Sequence, residues 1–208
     1  MTRRIIKNYQ RGFTLVEVLV GLVLVLALGL AITGLNAAIS QNQILVWQNY
    51  LNVDQTNNFM NNLVRELRTA RNADNGAYPL ETVNDQEISF YSDLDFDNQT
   101  EKIRYFLEGT SLFKGVTKPT GFPVTYPSTQ EKLIKLTDYV RNGSAAVFTY
   151  YNGDWPADKT HNPLTLAKRL TETKLIRLYL RLNTQADKQN EDFILESYTQ
   201  LRMLKNNL

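Results

Sequence analysis

The chain has no cysteine among its 208 residues and a single histidine, His161. Without thiols there are no disulfides, no thiolate zinc sites and no cysteine nucleophile, so a folded domain has to rest on its apolar core. One histidine without a serine- or cysteine-based partner motif does not build a triad. His161, beside Asn162 and Pro163, reads as a surface loop residue. Acid is missing from residues 1–12, which carry Arg3, Arg4, Lys7 and Arg11. Charge of either sign is then missing from Phe13 to Ile39, apart from Glu17. The first 12 residues hold four of the 23 basic residues and none of the 21 acids, so the remainder carries 19 against 21, a net of −2. That imbalance is a topology signal, because basic flanks stay cytoplasmic, and it is no nucleic-acid footprint. Lys168, Arg169, Arg177 and Arg181 are too scattered to bind DNA except weakly and with steep salt dependence; nucleic acid is not an expected partner.

What is present is a long apolar run. Leu15 to Ala38 is 24 residues, about 36 Å as a helix, enough to cross a bilayer of about 30 Å. A carboxylate inside such a run costs about 2.5–3.5 kcal/mol at the bilayer centre and less toward the interface, so Glu17 calls for compensation. A cut between Gly12 and Phe13 would create an α-amino group one helical turn ahead of Glu17, cationic below about pH 8, which a neighbouring copy can offer to it. A secretory signal peptide is the rival, but its cut lies after the apolar core, where only Leu35-Asn36-Ala37-Ala38 offers small residues. Gly21, Ala27, Ala31, Gly34 and Ala38 supply small side chains along the run, which let helices approach closely in lipid.

Lys7, Arg11 and Gly12-Phe13-Thr14-Leu15-Val16-Glu17, followed by an apolar helix, resemble the type III signal of type IV prepilins and type II secretion pseudopilins. The resemblance implies that a membrane-embedded aspartic prepilin peptidase cuts after Gly12 and methylates the Phe13 amine. It implies that Glu17 pairs with the Phe13 amine of a neighbouring subunit during assembly, and that the partners are other pilins or pseudopilins, the inner-membrane assembly platform and the membrane itself. The protein is then expected in the cytoplasmic membrane as a single-pass chain with its C-terminal domain extracytoplasmic, and afterwards in a pilus or pseudopilus. Gly34 stands where many major pilins carry a helix-weakening proline.

Past Ser40 the composition turns polar while the helical period persists. Phe59, Leu63, Leu67 and Ala70, joined by Met60 and Val64, form one apolar stripe, with Asn and Gln filling much of the rest. Asn72-Ala73-Asp74-Asn75-Gly76 ends it with turn residues, predicting one helix from about Phe13 to Arg71. Period-two alternation then marks Ile88/Phe90 and Ile103/Tyr105/Leu107, and Leu112–Val116 makes a third run, a three-stranded antiparallel meander turning at Glu108-Gly109. Ser128-Thr129-Gln130-Glu131 has capping-box spacing and, with Leu133, Leu136 and Val140, predicts a short helix. Ala146–Tyr151 reads as a strand before the polar loop Asn152–Asn162. Leu178, Leu180 and Leu182, after Leu175 and Ile176, make a half-buried strand; a polar turn over Thr184–Asp192 leads to its partner with Phe193, Leu195, Leu201 and Met203. The expected fold is α+β and pilin-like, a long N-terminal transmembrane and amphipathic helix packed on antiparallel β-sheets. The expected divisions are a leader at 1–12, transmembrane helix at 13–39, amphipathic continuation at 40–72 and a β-rich domain at 73–208.

The segments Ile88–Asp97, Glu101–Leu112, Val147–Tyr151 and Leu201–Leu204 are similar to J-type minor pseudopilins and W-like minor pilins, which implies a scarce subunit that initiates or caps a filament. K-type tip pseudopilins typically lack the carboxylate that Glu17 supplies, which implies a subunit that stacks beneath another. No enzyme activity is expected. The alternative functions are a pilus-tip adhesin or a membrane-anchored extracytoplasmic binding domain, for which Tyr150, Tyr151 and Trp155 are a candidate platform. No cofactor is expected except calcium: Asp93, Asp95 and Asp97, with Asn98 and then Glu101, put several oxygen donors in one short turn. An EF-hand would need glycine and glutamate where Asn98 and Arg104 stand, so the competing reading is a solvated hairpin turn.

Overall fold

The computed structural model describes residues 12–183 and 192–202, with side chains described except at positions 38, 41, 42 and 44–55. The leader cations Arg3, Arg4, Lys7 and Arg11, the turn at 184–191 and Met203 lie outside the described residues. Helix α1 runs Leu15–Arg68, 54 residues, close to the expected span. The chain divides into two compact units, Met1–Trp47 and Gln48–Leu208, and α1 contributes to both.

In the first unit the apolar stretch Leu15–Ala37 covers 23 residues, about 34 Å and enough for a hydrocarbon core of about 30 Å. Each of its side chains is exposed, on every face of the helix. A helix apolar all round belongs deep in protein or in lipid, so the surroundings this one is suited to lie outside the chain.

In the second unit the stripe is the buried face. Phe59, Met60, Leu63, Leu67 and Ala70 enter a core that also holds Leu80, Ile88, Phe90, Ile103, Tyr105, Phe148, Ile176 and Leu178. The helix stops because Thr69 turns its hydroxyl back on the Arg65 and Glu66 carbonyls, 3.1 Å each, and meets Ser92 Oγ at 3.0 Å. The Arg71 N–H is then taken by the Tyr91 carbonyl, 2.9 Å. Gly76, at φ +82°, makes the turn that follows.

Five strands form an antiparallel meander in chain order: β1 (Leu80–Val83), β2 (Glu87–Ser92), β3 (Glu101–Glu108), β4 (Ser111–Thr117) and β5 (Lys132–Thr137). The three central strands are those the alternation predicts. Gly109, at φ +62°, closes the β3–β4 hairpin. The flanking β1 and β5 are additions, and β5 corrects an expectation: the capping-box segment forms only a 3-10 turn at Ser128–Gln130, and the chain then pairs with β4. Leu133 and Ile134 stay exposed on this edge, so the apolar spacing that suggested a helix face is that of an edge strand. A second antiparallel sheet joins β6 (Phe148–Tyr151), β7 (Leu175–Leu182) and β8 (Phe193–Gln200), in the order β6-β7-β8. Ile176, Leu178, Leu180 and Leu182 point inward and Arg177, Tyr179 and Arg181 outward. A short helix unforeseen in the sequence, α2 (Leu166–Glu172), lies between β6 and β7 in the chain. The two sheets are tied by the β1–β2 turn. The Asp85 carbonyl accepts from the N–H groups of Val147 and Phe148, 2.9 Å each, and Tyr150 donates its hydroxyl to the Asn84 carbonyl, 2.9 Å.

Helix and first sheet meet at a buried charge. Glu66, 8% exposed, accepts the Tyr105 hydroxyl at 2.7 Å on one oxygen and the Lys114 ammonium at 2.6 Å on the other. Burial, reinforced by the Glu66 charge, pushes the Tyr105 phenol well above its ordinary range. Burial likewise raises Tyr150.

Truncating Glu66 removes the only carboxylate bonded to Lys114 among the described residues and leaves an ammonium whose side chain is largely buried. Glu66→Ala is expected to destabilise the fold by about 3–5 kcal/mol, and Lys114→Met by less, because the Tyr105 hydroxyl still serves Glu66; urea denaturation measures both. Tyr105 and Tyr150 have folded-state pKa values above their unfolded values, so the unfolded chain loses their protons first on the alkaline side. Stability is therefore unaffected by them below about pH 10 and falls as pH rises beyond it. Urea midpoints at pH 9 and pH 11, read with tyrosinate absorbance, check the sign.

Candidate functional site

Gly12, Phe13 and Thr14 are exposed and outside the helix, and the Phe13 side chain is 88% exposed. The Gly12–Phe13 peptide bond therefore lies in irregular chain immediately before α1, open to a protease. The helix starts where it does because Thr14 and Glu17 cap it. The Thr14 carbonyl accepts the first helical bond from Val18 N–H at 3.2 Å. Glu17 Oε2 accepts from the Thr14 N–H at 2.8 Å and from its hydroxyl at 3.0 Å, while Thr14 Oγ1 accepts from the Glu17 N–H at 3.3 Å. This is a reciprocal capping box, and it answers the question the lone carboxylate raises: within one subunit Glu17 is bonded to the helix N-terminus, where a negative charge is also favoured by the helix dipole. The Thr-x-x-Glu spacing was in the sequence, inside the motif itself. The Ser128–Glu131 copy of that spacing, which predicts a helix, forms only a 3-10 turn.

The second candidate lies in the other unit, in the loop joining β2 to β3. Asp93, Asp95 and Glu101 each place one carboxylate oxygen within 4.8 Å of the others. Asp97 stands outside that set, with Oδ1 accepting from the Gln99 N–H at 2.8 Å, so Glu101 takes the place the sequence spacing gave to Asp97. Alternation along β3 carries Glu101 inward with Ile103 and Tyr105. Phe96 and Asn98 both have positive φ, 60° and 68°, as the tight turn requires. Asp93 Oδ2 accepts from Arg71 at 3.1 Å and from the Asn98 N–H at 3.2 Å, and Glu101 Oε2 accepts from the Leu94 N–H at 2.9 Å. Lys118 Nζ stands 2.9 Å from Asp95, 3.7 Å from Glu101 and 4.0 Å from Asp97. Burial raises the Glu101 carboxyl against its backbone hydrogen bond, whereas the bond to Lys118 lowers that of Asp95.

The remaining candidates have structural partners. His161 is exposed, its Nδ1 2.9 Å from Asp158 Oδ2 in a loop that Asn152 and Asn162 hold by their amides. Tyr150 is fully buried, and the ring of Tyr151, 5% exposed, packs tilted against Trp155 with centroids 4.5 Å apart; the three are strand packing with one loop anchor, not an open platform. Arg177 pairs with Glu196 at 2.8 Å, Arg169 with Asp85 at 2.7 Å, Lys168 with Glu172 at 3.4 Å and Arg181 with Asp192, so each of the four cations has a carboxylate beside it.

Residues 7–33 match the family described as the prokaryotic N-terminal methylation motif. No curated protein matches the chain. Among solved structures, a chain in the crystal structure of the GspK-GspI-GspJ complex from the enterotoxigenic Escherichia coli type 2 secretion system is similar to it, with a TM-score of 0.43 and 11% sequence identity over 73% of this chain and 97% of that one.

Thr14→Val, which keeps the side-chain shape and removes the hydroxyl, is expected to weaken the start of α1 by about 0.5–2 kcal/mol. Amide exchange in detergent micelles should speed up at Glu17 and Val18 and stay unchanged beyond the second turn. Thr14→Ser should restore the wild-type rates.

Proposed function

We propose that this chain is a minor pilin or pseudopilin, a structural subunit that initiates or caps a type IV pilus or a type II secretion pseudopilus. The observation that carries the reading is the methylation motif at residues 7–33, set on an exposed junction directly ahead of an apolar helix of membrane length. In this reading a prepilin peptidase removes residues 1–12 and methylates the new Phe13 amine. The apolar part of α1 holds the subunit in the cytoplasmic membrane, with everything beyond it extracytoplasmic, until the assembly platform moves it into a filament. The same exposed face then packs against the helices of other pilins, and Gly21, Gly29 and Gly34, where a Cβ would meet nothing in this chain, leave room for close approach. The chain is the substrate of an enzyme and not one itself.

Cleavage supplies the counter-charge Glu17 lacks. The Phe13 amine, cationic below about pH 8, belongs to the residue before the N-cap, and a neighbouring subunit shifted along the filament axis can present it to Glu17. Pairing there sets the axial register between subunits and excludes register slips, because any other shift leaves a charge facing hydrocarbon.

Mass spectrometry of the mature N-terminus, from cells with and without the prepilin peptidase, tests the reading. N-methyl-Phe13 in the first and an unprocessed terminus in the second are expected. Glu17→Ala is expected to leave processing intact and to remove the subunit from sheared filament fractions. An unprocessed terminus in both strains would sink the proposal.

A further inference from the structure

We propose that the loop between β2 and β3 is a calcium site, with Asp93, Asp95 and Glu101 as its carboxylate ligands and Lys118 as the internal cation that calcium displaces. The inference is independent of the assembly reading.

Geometry comes first. Two oxygens bound to one calcium ion at 2.3–2.6 Å are at most about 5 Å apart, whereas magnesium at 2.0–2.1 Å brings them within about 4 Å. The three carboxylate oxygens lie within 4.8 Å of one another, a spread calcium spans and magnesium spans only after the loop contracts. The second observation is independent of spacing. Asp93 Oδ1 and Glu101 Oε1 are buried without a hydrogen-bond partner, on side chains only 10% and 1% exposed. Carboxylate oxygens this deeply buried are ordinarily satisfied, and these two belong to the same cluster, while the second oxygen of each is held by Arg71 and Asn98 or by Leu94. Each side chain is thus fixed in position with one oxygen left to give.

Charge points the same way. Asp93, Asp95, Asp97 and Glu101 face Arg71 and Lys118, four negative groups against two positive, and the excess equals the charge of one divalent ion. Lys118 is 55% exposed on a flexible four-carbon stem, and its ammonium already stands between Asp95 and Glu101. A monovalent point charge reaches Glu101 only at 3.7 Å, outside hydrogen-bond range. Calcium, taking six to eight oxygens from a flexible site, satisfies both buried oxygens, and Lys118 swings into solvent.

The test is calcium titration by calorimetry on the full chain in detergent micelles, stripped beforehand with chelator. One calcium per chain is expected, with magnesium a poor competitor. Asp95→Asn and Glu101→Gln should each weaken binding about tenfold or more, since affinity follows ligand charge, and Lys118→Met should tighten it. Asp95 is exposed, so its variant decides the matter even where Glu101→Gln perturbs folding. No binding at millimolar calcium to either wild type or Lys118→Met overturns the proposal, as does calcium binding that Asp95→Asn leaves unchanged.

Discussion

The carboxylate of Glu66 fixes how the last turns of α1 seat on the first sheet. Apolar burial of Phe59, Leu63 and Leu67 provides most of the attraction, but it is non-directional, and a stripe of similar side chains tolerates sliding. A buried charge with two bonded partners does not. Glu66 meets the Tyr105 hydroxyl on β3 and the Lys114 ammonium on β4, two residues that are direct partners in the strand register, so the helix is pinned across a single rung of the sheet. The same strand places Glu101, four residues back along β3 and on the same face, at the margin of the core. From there the position of the acidic loop follows.

Those elements that obey a simple period were legible. The 3.6-residue stripe on α1 and the two-residue alternation of β3 and β7 each report burial on one face, and those faces are the buried ones; β2 keeps the alternation of residue type but is buried on both faces. Harder to read were elements whose identity depends on distant partners. β5 is exposed along most of its length, so no alternation marks it; it is a strand because the free edge of β4 is there to pair with. α2 has seven residues, too short to announce itself by period. The two capping boxes make the point most sharply. Thr14–Glu17 and Ser128–Glu131 have the same spacing, but only the first is followed by residues free to continue as helix. In the second, Glu131 lies over Gly115 of β4, filling the space a Cβ would need, and reaches Arg104 at 3.5 Å, so its carboxylate is committed to the sheet.

The site residues divide in the same way. Gly12, Phe13 and Glu17 belong to a contiguous motif and need no fold to be recognised. In the acidic loop the spacing singles out Asp93, Asp95 and Asp97, whereas the fold groups Asp93 and Asp95 with Glu101, because the turn's geometry is set by β3. Once Tyr105 and Ile103 are known to face inward, Glu101 must as well, and a glutamate there is a buried charge that has to be accounted for.

The capping box at the head of α1 bears on what a filament contact of Glu17 would be worth. On the assembly reading, a subunit still in the membrane would not hold a bare carboxylate, because Glu17 is bonded to the Thr14 N–H and hydroxyl. Joining a neighbour is then an exchange of ligands, in which the incoming amine competes with the chain's own cap, and only the difference between the two bonded states is released. Such a contact would select position without adding much cohesion, and the strength of a filament would then fall to the apolar flanks of the helix. Removal of a subunit back into lipid would return the carboxylate to its own threonine and leave the amine as the group without a partner.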